Sequence, residues 1–150
     1  ASAERSPALA AGVLSASRLW RTDAHLSYLT SLHTGWAAMS DPAYALTDLD
    51  AAARAVSLDA RNAFYALDYA RTLRHYGETP ERIEAAFAEV FRRYPLYPVA
   101  RAEYAVFLAQ NGRIAESREQ IAIARLVDDA DPARLGALEA AEAAIAEQVQ

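Results

Sequence analysis

The chain has no cysteine and no lysine among its 150 residues, and only one methionine. Without cysteine there is no disulfide, no thiol nucleophile and no thiolate metal site, and the composition suits an oxidising or a reducing compartment. The 15 basic residues are all arginine, which removes a Schiff-base lysine and the lysine of a phosphate-binding loop. No apolar run approaches the roughly 20 residues of a membrane span. Ala1 to Pro7 is small and polar, with Glu4 beside Arg5, and lacks the layout of a signal peptide. The chain opens without Met, so we expect a mature form or an excised domain, with room in the missing part for a targeting or membrane segment. Strand signals are absent. The net charge of −5 has the wrong sign for a general nucleic-acid binder, and the aromatics fall at helical spacings instead of interleaving with basic residues.

What is present is alanine, leucine and helical periodicity. The hydrophobic fraction is 53%, enough for a core, and the length suits one compact domain or a short solenoid. All six prolines stand at helix starts or corners, four of them after Ser, Asp or Thr. The spacing predicts eight helices. Helix one runs from Pro7 to Trp20, capped by Ser6, with Leu9, Val13, Ser17 and Trp20 as its packing stripe. Helix two runs from Ala24 to Met39, with Leu26, Leu29, Leu32 or His33, Trp36 and Met39 on one face. Gly35 lies inside it, where a close approach by another helix would justify the cost of about 1 kcal/mol relative to Ala. Helix three follows Asp41-Pro42 to Ser57, with Leu46, Leu49, Ala53 and Val56 inward.

Helix four, Ala60 to Tyr76, packs through Tyr65, Ala66, Tyr69, Ala70, Leu73 and Tyr76 and stops at Gly77. Helix five, Pro80 to Arg93, turns Ile83, Phe87, Val90 and Phe91 inward. Tyr94-Pro95-Leu96-Tyr97-Pro98 is a rigid corner. Helix six, Pro98 to Gln110, packs through Tyr104, Ala105, Phe107 and Leu108. Helix seven, Ile114 to Val127, buries Ile114, Ile121, Ala124 and Val127. Helix eight, opened by Asp131-Pro132, reaches Val149 and keeps one polar face.

One pattern is written twice. Tyr69-Ala70, Leu73 and Gly77 return as Tyr104-Ala105, Leu108 and Gly112, about 35 residues later, and a fixed period of that size marks a helical repeat. With Ile121 and Ala124 closing one copy and Phe87 on the second helix of the other, the pattern resembles the tetratricopeptide repeat family. The resemblance implies an all-α, right-handed solenoid of antiparallel helix pairs over residues 1–150. Its repeats would be 24–59, 60–94 and 95–131, with a flanking helix at 7–20 and a capping helix at 132–149. The first repeat diverges: Trp36 stands near the turn and the turn glycine is missing. In this family the first helices of each pair line a concave groove that holds an extended peptide or a partner helix. Carried over, helix two contributes Tyr28 and Ser31, helix four Phe64, Leu67, Arg71, Arg74 and His75, and helix six Val99, Ala102, Val106 and Gln110. Lysine is absent and Arg71 and Val106 stand where a carboxylate clamp would need Lys and Asn, so this chain departs from the chaperone-binding members. The run Arg18-Leu19-Trp20-Arg21-Thr22-Asp23-Ala24 is also similar to the soluble tails that follow the membrane region of bacterial O-antigen ligase-like proteins.

Chemistry of other kinds finds little support. His25 and His33 lie two helical turns apart, about 12 Å along the axis, too far to share a metal. Asp128, Asp129 and Asp131 lack calcium-loop spacing and read as a polar corner with Asp131 as a cap. Glu81, Glu84 and Glu89 with Arg82, Arg92 and Arg93 read as a solvated face. Trp20 and Trp36 read as core between helices one and two, with groove anchors as the alternative. Arg71, Arg74 and His75 share a surface, either as a basic patch for an acidic ligand or as an ordinary exposed face paired with Asp68 or Glu78. No nucleophile–base pair, metal set or cofactor motif is visible. We therefore expect a non-catalytic scaffold that binds a protein or peptide partner, or its own parent chain. The alternative is an accessory domain of a membrane glycan ligase or polymerase.

Overall fold

A computed structural model describes residues 7–17, 19–127 and 130–149. It is all-α, with eight α-helices and no strand among the described residues. They are α1 (Pro7–Ser17), α2 (Ala24–Ala38), α3 (Ala45–Leu58), α4 (Ala63–His75), α5 (Pro80–Arg93), α6 (Pro98–Gln110), α7 (Ile114–Ala124) and α8 (Pro132–Gln148). Short 3-10 turns at Leu19–Thr22 and Pro42–Tyr44 precede α2 and α3. The expected cap Ser6, Arg18, and two of the three aspartates read as a polar corner, Asp128 and Asp129, lie outside the described residues.

Local chemistry sets the helix ends. Asp23 accepts from the Leu26 amide at 2.8 Å and Asp131 from the Ala133 amide at 2.9 Å, each satisfying an orphan donor of a first turn. Asn62 accepts from the amides of Phe64 and Tyr65, so α4 starts at Ala63 and not at the expected Ala60. Gly77 and Gly112 have φ of 65° and 73°. Just past each, an amide reaches back over the last turn, Glu78 to the Leu73 carbonyl at 3.0 Å and Arg113 to the Leu108 carbonyl at 2.9 Å. The two copies of the sequence pattern therefore end in the same left-handed cap.

The chain divides into two compact units, with the boundary between Glu89 and Val90 inside α5. In the first unit α2 packs on α3 and α1, but through a face that hydropathy did not select. The buried residues of α2 are Ser27, Thr30, Ser31, Thr34 and Ala37. They meet an equally small-sided α3, which buries Ala51, Ala52 and Ala55 together with Asp48. The hydroxyls are satisfied locally: Thr30 donates to the Leu26 carbonyl, Thr34 to that of Thr30, and Ser27 to those of Asp23 and Trp20. Small size allows close approach, and the back-bonded hydroxyls remove the desolvation cost.

This overturns three expected stripes. On α1, Leu9 and Val13 are exposed and Ala11 is buried; on α3, Leu46 is exposed while Leu49 and Val56 are half-buried. On α2, Leu26, Leu29, Leu32 and His33 are half-buried, and Trp36 and Met39 are exposed. Trp20 is buried, as its reading as core requires. In α4 the expected pattern holds: Tyr65, Ala66, Ala70 and Leu73 are buried, with Tyr69 and Tyr76 half-buried. Ile83 and Phe87 on α5 are buried too.

In the second unit α6 packs against both α7 and α8. Ala102, Ala105, Val106 and Ala109 of α6 meet Ile121 and Ala124 of α7 and Leu138, Ala141 and Ile145 of α8. Ser117 donates to the Ala105 carbonyl at 2.8 Å, pinning α7 to α6. Arg134 is buried and donates to the carbonyls of Ala124 and Val127, where α7 ends short of the expected Val127. A cation there also meets the negative end of the helix dipole. Arg101 lies over the Phe91 ring at 3.7 Å and donates to the Pro95 carbonyl and to Gln120, fastening the proline corner. Leu135 of α8 and Val149, just past its end, are exposed.

Candidate functional site

The most distinctive side chain is a buried acid that the sequence did not single out. Asp48, on the first turn of α3, is 5% exposed. Its Oδ1 accepts from the Ser31 hydroxyl of α2 at 2.6 Å, and its Oδ2 accepts from the phenol of Tyr76, just past α4, at 2.7 Å. One carboxylate thus ties three elements together. Burial pushes its pKa up, opposed by the two hydroxyl donors and by nearby His75. Burial also drives the Tyr76 phenol well above the ordinary range, helped by its hydrogen bond to Asp48 and by that carboxylate's charge.

The carboxylate lies at the floor of a surface hollow. Gly35, Trp36, Asp48 and Thr72 line two adjoining parts of it. One part, about 230 Å³, is completed by Met39, Arg71 and His75. The other, about 140 Å³, is completed by Ser31, Leu32 and Asp68. Gly35 packs directly on the acid: a Cβ there would stand 2.9 Å from Asp48 Oδ2. The close approach expected at this glycine is real, and the group that approaches is the carboxylate. Trp36 is 51% exposed and Met39 80% exposed, so the rim carries two large apolar side chains that the sequence had turned inward. Trp36 also packs edge-on against the His33 ring.

Beside the hollow is an aromatic group on α2 and α4. Tyr28 meets Phe64 edge-on and stacks on Tyr65, both at 5.4 Å between ring centres, and Tyr65 contacts His25. Burial raises the Tyr28 phenol, with the Asp68 charge adding and the Arg71 charge opposing.

The residues read from sequence as a groove are divided by this arrangement. Tyr28 and Phe64 belong to the aromatic group, and Arg71 and His75 to the hollow. Ser31 also lies at the hollow, through its bond to Asp48. Arg74 is half-buried on the last turn of α4. Leu67 is 0% exposed and therefore core, because its position on α4 falls inside the arc that packs and not on its margin. Val106, 9% exposed, is likewise core, packed where α6 meets α7 and α8, along with buried Ala102. Val99 is buried and Gln110, at the end of α6, is exposed. Asp48 was missed, although it stands three, four and seven residues before Ala51, Ala52 and Ala55 and so extends the stripe of small residues they form.

A separate hollow of about 260 Å³ lies between α3, α4 and α5, lined by Val56, Ala66, Tyr69, Arg82 and Ala86. Its polar edge is occupied internally, since Arg82 bonds both Tyr69 and Glu78. Among the described residues, no three His, Asp or Glu side chains gather as a metal set, and no helix is long and apolar enough to cross a membrane. No family model, no curated protein and no solved structure matches this chain.

Proposed function

We propose that the protein is a non-catalytic interaction scaffold built from repeats of the tetratricopeptide kind, and that it grips a protein or peptide segment on the face of α2 and α4. The observation that carries this reading is the exposed pair Trp36 and Met39 beside Arg71 and His75, above a recess in the surface. Large apolar side chains next to a planar cation are the residue types that supply most of the energy of protein interfaces. The repeated Tyr-Ala-Leu-Gly pattern and its paired left-handed caps support the family assignment. In such an array the regular positions carry packing, and the binding residues are those that differ between copies. Arg71, Arg74 and His75 are of that kind, replaced by Val106, Ala109 and Gln110 one repeat later.

The test is selection of short peptides from a displayed library, followed by titration calorimetry. Selected peptides should lose affinity for Trp36→Ala and for Arg71→Ala combined with Arg74→Ala, while the melting temperature barely moves. Peptides that bind all variants equally would reject this face.

A further inference from the structure

Resting on that reading, we infer that the smaller part of the hollow is a cation pocket, which takes the guanidinium or ammonium of an arginine or lysine side chain from the partner segment. It contains two carboxylates, Asp48 and Asp68, the hydroxyls of Ser31 and Thr72, and the indole of Trp36. Carboxylates and hydroxyls accept hydrogen bonds, and an indole face attracts a cation.

Asp48 supplies the directional argument. A carboxylate offers about four acceptor positions, and here two are used, both by neutral hydroxyls. Among the described residues it makes no salt bridge, and the basic group whose charge bears on it is His75. A buried acid of this kind is costly unless a cation neutralises it. Asp48 lines the smaller part of the hollow as well as the larger, with Gly35 packed against its Oδ2. Placing a charged donor there would add a charge-assisted bond to an acid whose desolvation cost is already met in the free protein. Arg71 and His75 line the larger part only, so they bias a bound segment to set its acidic or polar side toward them and its cationic side chain toward Asp68 and Trp36. The sequence offered an acidic ligand as one of two readings of Arg71, Arg74 and His75; the floor of the hollow selects the opposite charge for the side chain that enters it.

N-acetyl-arginine amide and its neutral isostere N-acetyl-citrulline amide are the probes, titrated into the isotope-labelled full chain and followed by amide and indole NMR shifts. The arginine probe should move the Gly35 amide and the Trp36 indole N–H and bind about tenfold or more tightly than citrulline. Asp48→Asn should erase that preference, and Trp36→Ala should weaken the arginine probe severalfold. Equal binding of the two probes, arginine-induced shifts elsewhere, or a preference that survives Asp48→Asn would overturn the cation pocket. Where Asp48→Asn fails to fold by circular dichroism, the citrulline comparison and Trp36→Ala decide the matter. Library peptides that need Trp36 but no cationic residue would sink the pocket and leave the scaffold standing.

Discussion

Gly35 on α2 and Asp48 on α3 touch where a side chain would not fit, since a Cβ on Gly35 would lie 2.9 Å from Asp48 Oδ2. The carboxylate cannot swing aside freely, because Ser31 and Tyr76 hold one oxygen each. Gly35→Ala should therefore destabilise the fold by about 1–2 kcal/mol, overpacking outweighing the gain of roughly 1 kcal/mol in helix propensity. Gly136, inside α8, is the control, because a Cβ added there would meet nothing within 4 Å. Gly136→Ala should stabilise by up to about 1 kcal/mol. Urea unfolding measures both, and a stabilising Gly35→Ala would show that the acid yields.

The buried acid also predicts a pH dependence. Its pKa in the fold lies above the ordinary 3.8, so the folded state holds the proton more tightly than the unfolded chain. The stability associated with it is fully present below 3.8 and is lost as pH rises through the raised folded value. Asp48→Asn should flatten this falling limb above pH 3.8. Thermal melts at stepped pH compare the two proteins, and parallel curves would place the titration elsewhere.

Leu67 and Arg71, four residues apart on α4, should behave oppositely. Leu67→Ala opens a cavity in the core and should cost about 2–5 kcal/mol of stability. Arg71→Ala should leave the chemical denaturation midpoint nearly unchanged and act on partner binding. A Leu67→Ala protein of normal stability would return that residue to the surface.

Gly77 and Gly112 adopt left-handed φ with nothing within 4 Å of a Cβ, so only backbone conformation is at stake. Replacing either with Ala should cost about 1–2 kcal/mol, and nearly the same at both. Markedly unequal losses in calorimetric unfolding would mean that the two caps are not equivalent.

Arg134 bonds two carbonyls at the end of α7 from a buried position on α8. Arg134→Met keeps much of the apolar stem but strands those carbonyls, at a cost of about 1–3 kcal/mol. Hydrogen exchange should show the loss as faster exchange in α7 and α8; unchanged protection there would dismiss the capping role.

The all-α class, the eight helices and both glycine stops were legible because they rest on short-range rules: proline and cap residues at starts, glycine at ends, and the repeated Tyr-Ala-Leu spacing. What misled was the assumption that a helix buries its greasiest stripe. On α2 and α3 the buried stripe is chosen by side-chain size, so Leu46, Trp36 and Met39 face outward while Thr30, Thr34 and Ala51 face in. Leu67 and Val106 failed for a related reason: each lies on a helix buried over a wider arc than one groove-facing line allows. The spacing of Asp48 to Ala51, Ala52 and Ala55 could have marked it as buried, but its hydrogen bonds were out of reach, because Ser31 lies 17 residues before it and Tyr76 28 residues after it.

The small-residue seam between α2 and α3 has a thermal consequence. Apolar surface exposed on unfolding raises the heat capacity, and polar surface lowers it. A seam of serine, threonine and alanine exposes hydroxyls along with its small apolar groups, so its contribution to the heat-capacity increment is reduced. The core of α6, α7 and α8, where Val106, Ile121, Leu138 and Ile145 join five alanines, contributes more per residue. On cooling, that core loses hydrophobic driving force while the seam, held by contact and hydrogen bonding, keeps its strength.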